Sequence, residues 1–263
     1  VIASLVLFDM DSSPITLYAL TAITTFVIFS CISIKKYPLI LSVLKKNFLK
    51  ILILNLLVFV MVMPLYVCLT GGLHPAVYVL NFCTVMGCLS NLEKRNFWGL
   101  SFIAILLVVL QHYHWDAMIL FSLLGPIGAY FTIKVASEVG IENNLKTSDV
   151  MVLRYMLSAV VFVVISPWLP PLITTPVSMD LIISIAIVVL FYNILSVFFV
   201  QKSSLFLGHK IAAMGYTCIP IVTFIAQEYF LNIYNNYLIF LSVLLVVISV
   251  LCVKYPLCWK KPS

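Results

Sequence analysis

The chain has 263 residues, of which 63% are apolar and only 9% charged, and its mean hydropathy is +1.18. A soluble domain carries roughly 25% charged residues, so this composition excludes a water-soluble globular domain. The formal charge of +6 does not indicate nucleic acid: Lys and Arg stand between apolar runs without basic–aromatic interleaving, a pattern that names the lipid bilayer as partner.

A crossing helix needs about 20 mostly apolar residues. Residues 1–8, VIASLVLF, are too short for that and read as the end of a first helix whose start precedes residue 1. Predicted crossings follow at 15–34, 51–69, 75–92, 97–110, 117–135, 150–166, 181–200, 211–227 and 237–253. KKYPLILSVLKKNFLK, residues 35–50, reads as a basic connection between two of them. With the loops alternating from the first fragment, all fifteen Lys and Arg fall on one side. The other side's loops, 9–14, 70–74, 111–116, 167–180 and 228–236, contain none. The positive-inside rule makes the basic side cytoplasmic. The expectation is ten crossings in a cytoplasmic (inner) membrane, with both termini in the cytoplasm.

The chain also echoes itself. A slide of 135 residues lays Cys83 on Cys218 and Glu93 on Glu228; one of 136 lays Leu17 on Leu153 and Phe26 on Phe162. A slide of 138 lays Leu106–Val109 on Leu244–Val247. Similar offsets in the same order indicate an internal duplication. Five helices per copy is odd, so the second copy enters the membrane from the opposite face. That explains why the turn with Lys94 and Arg95 is matched by the uncharged turn at 228–236. The predicted fold is an all-α integral membrane protein of two inverted five-helix repeats, residues 1–113 and 114–263. Inverted repeats are a common transporter architecture.

At this level the chain resembles the drug/metabolite transporter superfamily, in particular its ten-helix EamA-type members. The resemblance is carried by SPITLYALTAITTFVIFS (13–30), by LHPAVYVLNFCTVMGCLSNLEKRNFWGLSFIAILLVVL (73–110) and by GPIGAYFTIKVASEVGIENNLKTSDVMVLRYMLSAVV (125–161), which includes Arg154. GHKIAAMGYTCIPIVTFIAQEYF (208–230) adds Pro220 followed eight residues later by Glu228. Departures are Val85 where the second copy has Pro220, and Thr21 or Tyr18 where the family often has Arg. The resemblance implies a secondary transporter of a small organic metabolite (an amino acid, nucleoside, amine or cofactor-like solute) working by alternating access. It also implies a central cavity lined by helices one, three, four, six, eight and nine. The alternative is a non-transporting receptor or assembly scaffold.

Polar residues near mid-span are the candidates for that cavity. Tyr78 and Asn81 lie three apart on the fourth helix and share a face. Tyr130 follows Gly125, Pro126 and Gly128 on the sixth, and Tyr192 and Asn193 are central in the eighth. Tyr216 matches Asn81 across the repeat. A ring with a hydroxyl beside an amide suits an amphipathic solute; the same groups can instead bond helix to helix. Pro64, Pro126 and Pro220 read as prolines inside helices, where they kink or bend.

None of the nine acids stands at a predicted midplane, so no proton-relay carboxylate is evident and a strongly cationic solute is disfavoured. Arg154, near a cytoplasmic helix end, is expected to snorkel to lipid phosphate rather than attract an anion. His112, His114 and Asp116 are too few and too close for a metal site. The seven cysteines include no C-x-x-C pair and read as reduced packing residues. No cofactor motif and no clustered acid–His site for an enzyme is present.

Overall fold

The structure, a computed structural model, describes residues 13–93, 98–112, 117–169, 194–216, 219–220 and 236–254, with single positions at 183, 186 and 190. Among the described residues there are helices and turns but no strand. The helices are α1 (Pro14–Ile32), α2 (Tyr37–Lys46), α3 (Phe48–Thr70), α4 (Pro75–Glu93), α5 (Trp98–His112) and α6 (Ala117–Ser122). They continue with α7 (Leu124–Glu142), α8 (Thr147–Ile165), α9 (Val197–Leu207), α10 (His209–Gly215) and α11 (Asn236–Lys254). Four stretches are long and apolar enough to cross a membrane: Pro14–Ile32, Phe48–Thr70, Ala117–Glu142 and Thr147–Trp168.

Local sequence explains where these helices begin and end. Pro14 opens α1, where its missing N–H costs nothing. Both α3 and α7 close in a Schellman turn. Leu73 N–H donates to Cys68 O at 2.8 Å and Leu145 N–H to Gly140 O at 2.9 Å. The left-handed residue that this turn requires is Gly72 (φ 88°) in one and Asn144 (φ 50°) in the other. Pro126 stands in the first turn of α7, next to the break at Leu123 that separates α6 from α7. It therefore starts a helix instead of kinking one from inside. Pro64 does lie inside α3, which continues through it.

Two further differences from the sequence reading have physical causes. The connection at 35–50 contains α2, an amphipathic helix whose Ile40 and Val43, three apart, are buried while Lys45 and Lys46 end its last turn. The helix predicted at 117–135 runs on to Glu142, so Lys134 sits about 12 Å inside the end of α7. The element predicted at 181–200 is described only in part, and that at 211–227 only as far as Pro220.

Side-chain pairs fix how the helices run. Lys36, just past α1, meets Asp149 at the start of α8 (3.2 Å), while Tyr18 near the start of α1 donates to Ser158 late in α8 (3.1 Å). α1 and α8 are therefore antiparallel. Lys50 at the start of α3 meets Glu142 at the end of α7 (2.9 Å), and at the far end Cys68 lies 3.4 Å from the Met118 carbonyl. So α3 and α7 are antiparallel as well. Lys36, Lys50, Asp149 and Glu142 thus share one end of the bundle, the end that carries the basic connections. Lys50–Glu142 is exposed and contributes little.

The bundle's surface is as apolar as its core. Val160, Val161, Val163 and Val164 of α8 are each more than half exposed, while Thr21, Asn55, Asn81, Ser158, Arg154 and Gln201 are buried. Apolar outside with polar inside is the distribution that a lipid solvent favours. Within that interior α3 and α7 approach backbone to backbone. A Cβ at Gly128 would lie 2.7 Å from the Met61 nitrogen and 2.9 Å from the Val60 carbonyl carbon. Small residues permit this closeness.

Gly128→Ala should therefore lower stability by about 1–3 kcal/mol, the usual cost of overpacking. Thermal unfolding of the detergent-purified protein measures it. Gly215→Ala, where an added Cβ meets nothing within 4 Å among the described residues, is the control expected to leave the midpoint unchanged.

Candidate functional site

Where α3, α4, α9 and the turn after α10 meet, they enclose a cavity of about 140 Å³. Met61 and Leu65 come from α3; Tyr78, Val79, Phe82 and Cys83 from α4; Ser196, Val197, Tyr216 and Ile219 from the later part of the chain. Met61 stands thirteen residues from Phe48 and nine from Thr70, so about 20 and 14 Å from the two ends of α3. The cavity is at mid-depth in the bundle. A larger cleft, about 810 Å³, opens at the rim of the basic end between α1, the α7–α8 turn and α9. Its walls include the exposed Ile32, Ile141 and Phe206.

The mid-depth cavity is aromatic on one side. The rings of Phe82 and Tyr216 lie 5.4 Å apart at 56°, and those of Tyr78 and Phe82 6.2 Å apart at 34°. Tyr78 is 2% exposed, and its hydroxyl has no hydrogen-bond partner among the described residues. The space beside that hydroxyl is held open by Gly125, where an added Cβ would lie 2.5 Å from it.

Of the candidates from sequence, Tyr78 and Tyr216 line the cavity together. Asn81 does not. It is fully buried, and its Nδ2 donates to Ser122 Oγ at 3.0 Å, tying α4 to α6. At about 100° per residue, Tyr78, Val79, Phe82 and Cys83 form one face, and Asn81 points roughly 130° from its centre. Spacing alone grouped Asn81 with Tyr78; the face actually used runs the other way round the helix. Tyr130 is buried elsewhere, with its ring 5.6 Å from Phe131 and 6.0 Å from His209. Tyr192 and Asn193 lie outside the described residues, as do His114 and Asp116. Among the described residues no three His, Cys, Asp or Glu come together as a metal would need.

The sequence reading missed Met61, Phe82 and Val197, ordinary core residues by type, and it misjudged Arg154. This arginine is 1% exposed and does not snorkel. Its Nη1 donates to Gln201 Oε1 at 3.4 Å, its Nη2 lies 3.3 Å from Met61 Sδ, and its Nε has no partner among the described residues. The Tyr155 ring sits 5.9 Å from its Cζ. The Gln201 amide is itself held, donating from Nε2 to Ser204 Oγ at 3.2 Å. Met61 is thus shared between the cavity wall and the guanidinium.

A second polar cluster lies on the α1 side and is saturated. Asn55 Nδ2 donates to the carbonyls of Ile51 (2.8 Å) and Leu153 (2.9 Å), and Asn55 Oδ1 accepts from the Ser158 backbone N–H (3.1 Å) and Oγ (3.3 Å). Thr21 and Tyr66 share a 2.8 Å hydrogen bond. Tyr18 and Thr21, which stand where arginine is common in the family that the sequence resembles, are absorbed in these helix-to-helix bonds.

No protein-family model matches the chain, and no curated protein sequence matches it either.

The two asparagines should respond differently to substitution. Asn55→Leu strips four hydrogen bonds from a buried junction, and each group left unsatisfied costs about 1–3 kcal/mol. Asn81→Leu removes one bond, and Ser122 Oγ keeps its 2.6 Å bond to the Ile119 carbonyl. Unfolding in detergent should show the larger loss for Asn55→Leu.

Proposed function

We propose that the chain is a secondary transporter that moves a small organic metabolite across a membrane by alternating access between two inverted five-helix halves. The halves are residues 1–113 and 114–263, in the manner of the EamA-type drug/metabolite transporters that the sequence resembles. The observation that carries the proposal is the mid-depth cavity walled by both: Met61, Tyr78 and Phe82 belong to the first half, Val197 and Tyr216 to the second. Solute sites at the repeat interface near the bilayer midplane are what such architectures use.

Other features support the reading. α1 and its repeat counterpart α8 pack against each other and run in opposite senses, as an inverted pair does. The described lysines of the connections gather at one end, which in this reading is cytoplasmic and holds both termini. Among the described residues the acids, Glu93, Glu138, Glu142 and Asp149, stand within about two turns of helix ends. Coupling to protons by a midplane carboxylate is therefore not part of the proposal. The membrane is the cytoplasmic one, and the partners are a solute and lipid.

Flux in proteoliposomes tests the reading. A panel of amino acids, nucleosides and amines, each with and without a pH gradient, should include a solute with saturable uptake. Val197→Trp fills the cavity from the second half and should reduce that flux about tenfold or more, as expected for a blocked site of this size. Asn81→Leu, off the cavity, should retain it. A folded protein that moves no member of such a panel would favour a receptor or scaffold.

A further inference from the structure

We infer that Arg154 is the anchor for the carboxylate of a monoanionic or zwitterionic solute whose apolar part occupies the mid-depth cavity. The inference rests on the transporter reading for its purpose but on its own geometry for its chemistry.

A guanidinium in a low-dielectric interior needs anionic or strongly polar partners. Arg154 is 1% exposed, and among the described residues no carboxylate pairs with it. The nearest acid on its own helix, Asp149, is held by Lys36 and by the Lys146 backbone N–H (3.0 Å). Gln201 takes one edge of Arg154 through Nη1. The other edge, Nε with Nη2, is the one that clamps a carboxylate side-on with two parallel hydrogen bonds. Among the described residues Nε has no acceptor within hydrogen-bond geometry, Nη2 faces a thioether sulfur, which accepts weakly, and Tyr155 stands beside the guanidinium with its ring 5.9 Å from Cζ.

That thioether belongs to Met61, which also lines the cavity. Methionine has three rotatable bonds and adapts readily. Rotation of the Met61 side chain about those bonds would join the free guanidinium edge to the cavity, since Met61 stands between the two. The unpartnered Tyr78 hydroxyl offers a second polar contact.

The cavity sets the rest of the ligand. An apolar cavity of about 150 Å³ holds a benzene ring, and this one, at about 140 Å³, is walled by Tyr78, Phe82 and Tyr216. It takes one aromatic ring or branched aliphatic chain. One guanidinium balances one negative charge, which favours a carboxylate over a phosphate dianion.

Benzoate is the probe, with benzyl alcohol and benzylamine as controls of the same shape without the negative charge. Binding to the full chain in detergent, by calorimetry and thermal shift at fixed ionic strength, should be about tenfold tighter or more for benzoate, the size of one charge-assisted hydrogen bond. Arg154→Gln should abolish that preference. If Arg154→Gln does not fold, Val79→Trp decides: it fills the cavity, leaves Arg154 in place, and should abolish benzoate binding. Equal binding of the three probes overturns the inference, as does benzoate binding that survives Val79→Trp or a folded Arg154→Gln. Benzoate binding with no flux of any solute would refute transport and leave the site standing. Flux of other solutes without benzoate binding would do the reverse.

Discussion

The interior of this bundle depends on the approach of α3 and α7 at Met61 and Gly128. In lipid, helices gain little from hiding apolar surface, because the solvent is equally apolar; close backbone packing through small residues takes over. Gly128 brings α7 against the Met61 and Val60 backbone, and Gly125, one turn earlier, leaves room for the Tyr78 hydroxyl. The same two glycines therefore set the spacing of α3 and α7 and make room for the Tyr78 hydroxyl. Met61 is packed at its backbone against Gly128, and its side chain lies between the cavity and Arg154.

Buried polar groups fall into two kinds. Asn55, Ser158, Tyr18, Thr21 and Tyr66 bond one another or backbone carbonyls and tie α1, α3 and α8 together. Others lack partners within hydrogen-bond geometry among the described residues: Thr25, Ser30 and Ser33 along α1 and just past it, Thr132 and Tyr155 on α7 and α8, and the Tyr78 hydroxyl, Asn81 Oδ1 and Arg154 Nε nearer the cavity. An unmatched buried polar group costs about 1–3 kcal/mol, and more where it is charged. Of these groups Arg154 carries the charge, so its open edge is the costliest to leave unmet.

Much of the helix plan was legible in the sequence, because an apolar run long enough to cross a bilayer has few alternative conformations. Predicted spans at 15–34, 51–69, 75–92 and 237–253 match α1, α3, α4 and α11 to within a few residues. The miss at α2 arises from weighing its lysines above Ile40 and Val43, whose spacing already marked a buried stripe. The miss at Asn81 arises because three-apart residues share a face only broadly, while a cavity this small samples four positions of one helix. Pattern reading finds polar residues that could line a path. It does not find Met61 or Val197, which line the cavity through position and not through type.

Arg154 shows why side-chain direction lies beyond the sequence. It stands five residues past Asp149, so about 7.5 Å further in along α8. A helical side chain leans by default toward its helix N-terminus, which for α8 is the basic end, and snorkelling would follow that lean. The observed contacts run the other way. On α3, which runs parallel to α8, Asn55 is level with Leu153 and Ser158, whereas Met61 lies six residues deeper, about 9 Å. Arg154 reaches Met61, so its guanidinium extends away from the water and phosphate it could have met and toward mid-depth. Gln201 supplies one polar contact there and a sulfur another. A charge directed inward against its default lean, with its bidentate edge open, is the arrangement that a solute carboxylate completes.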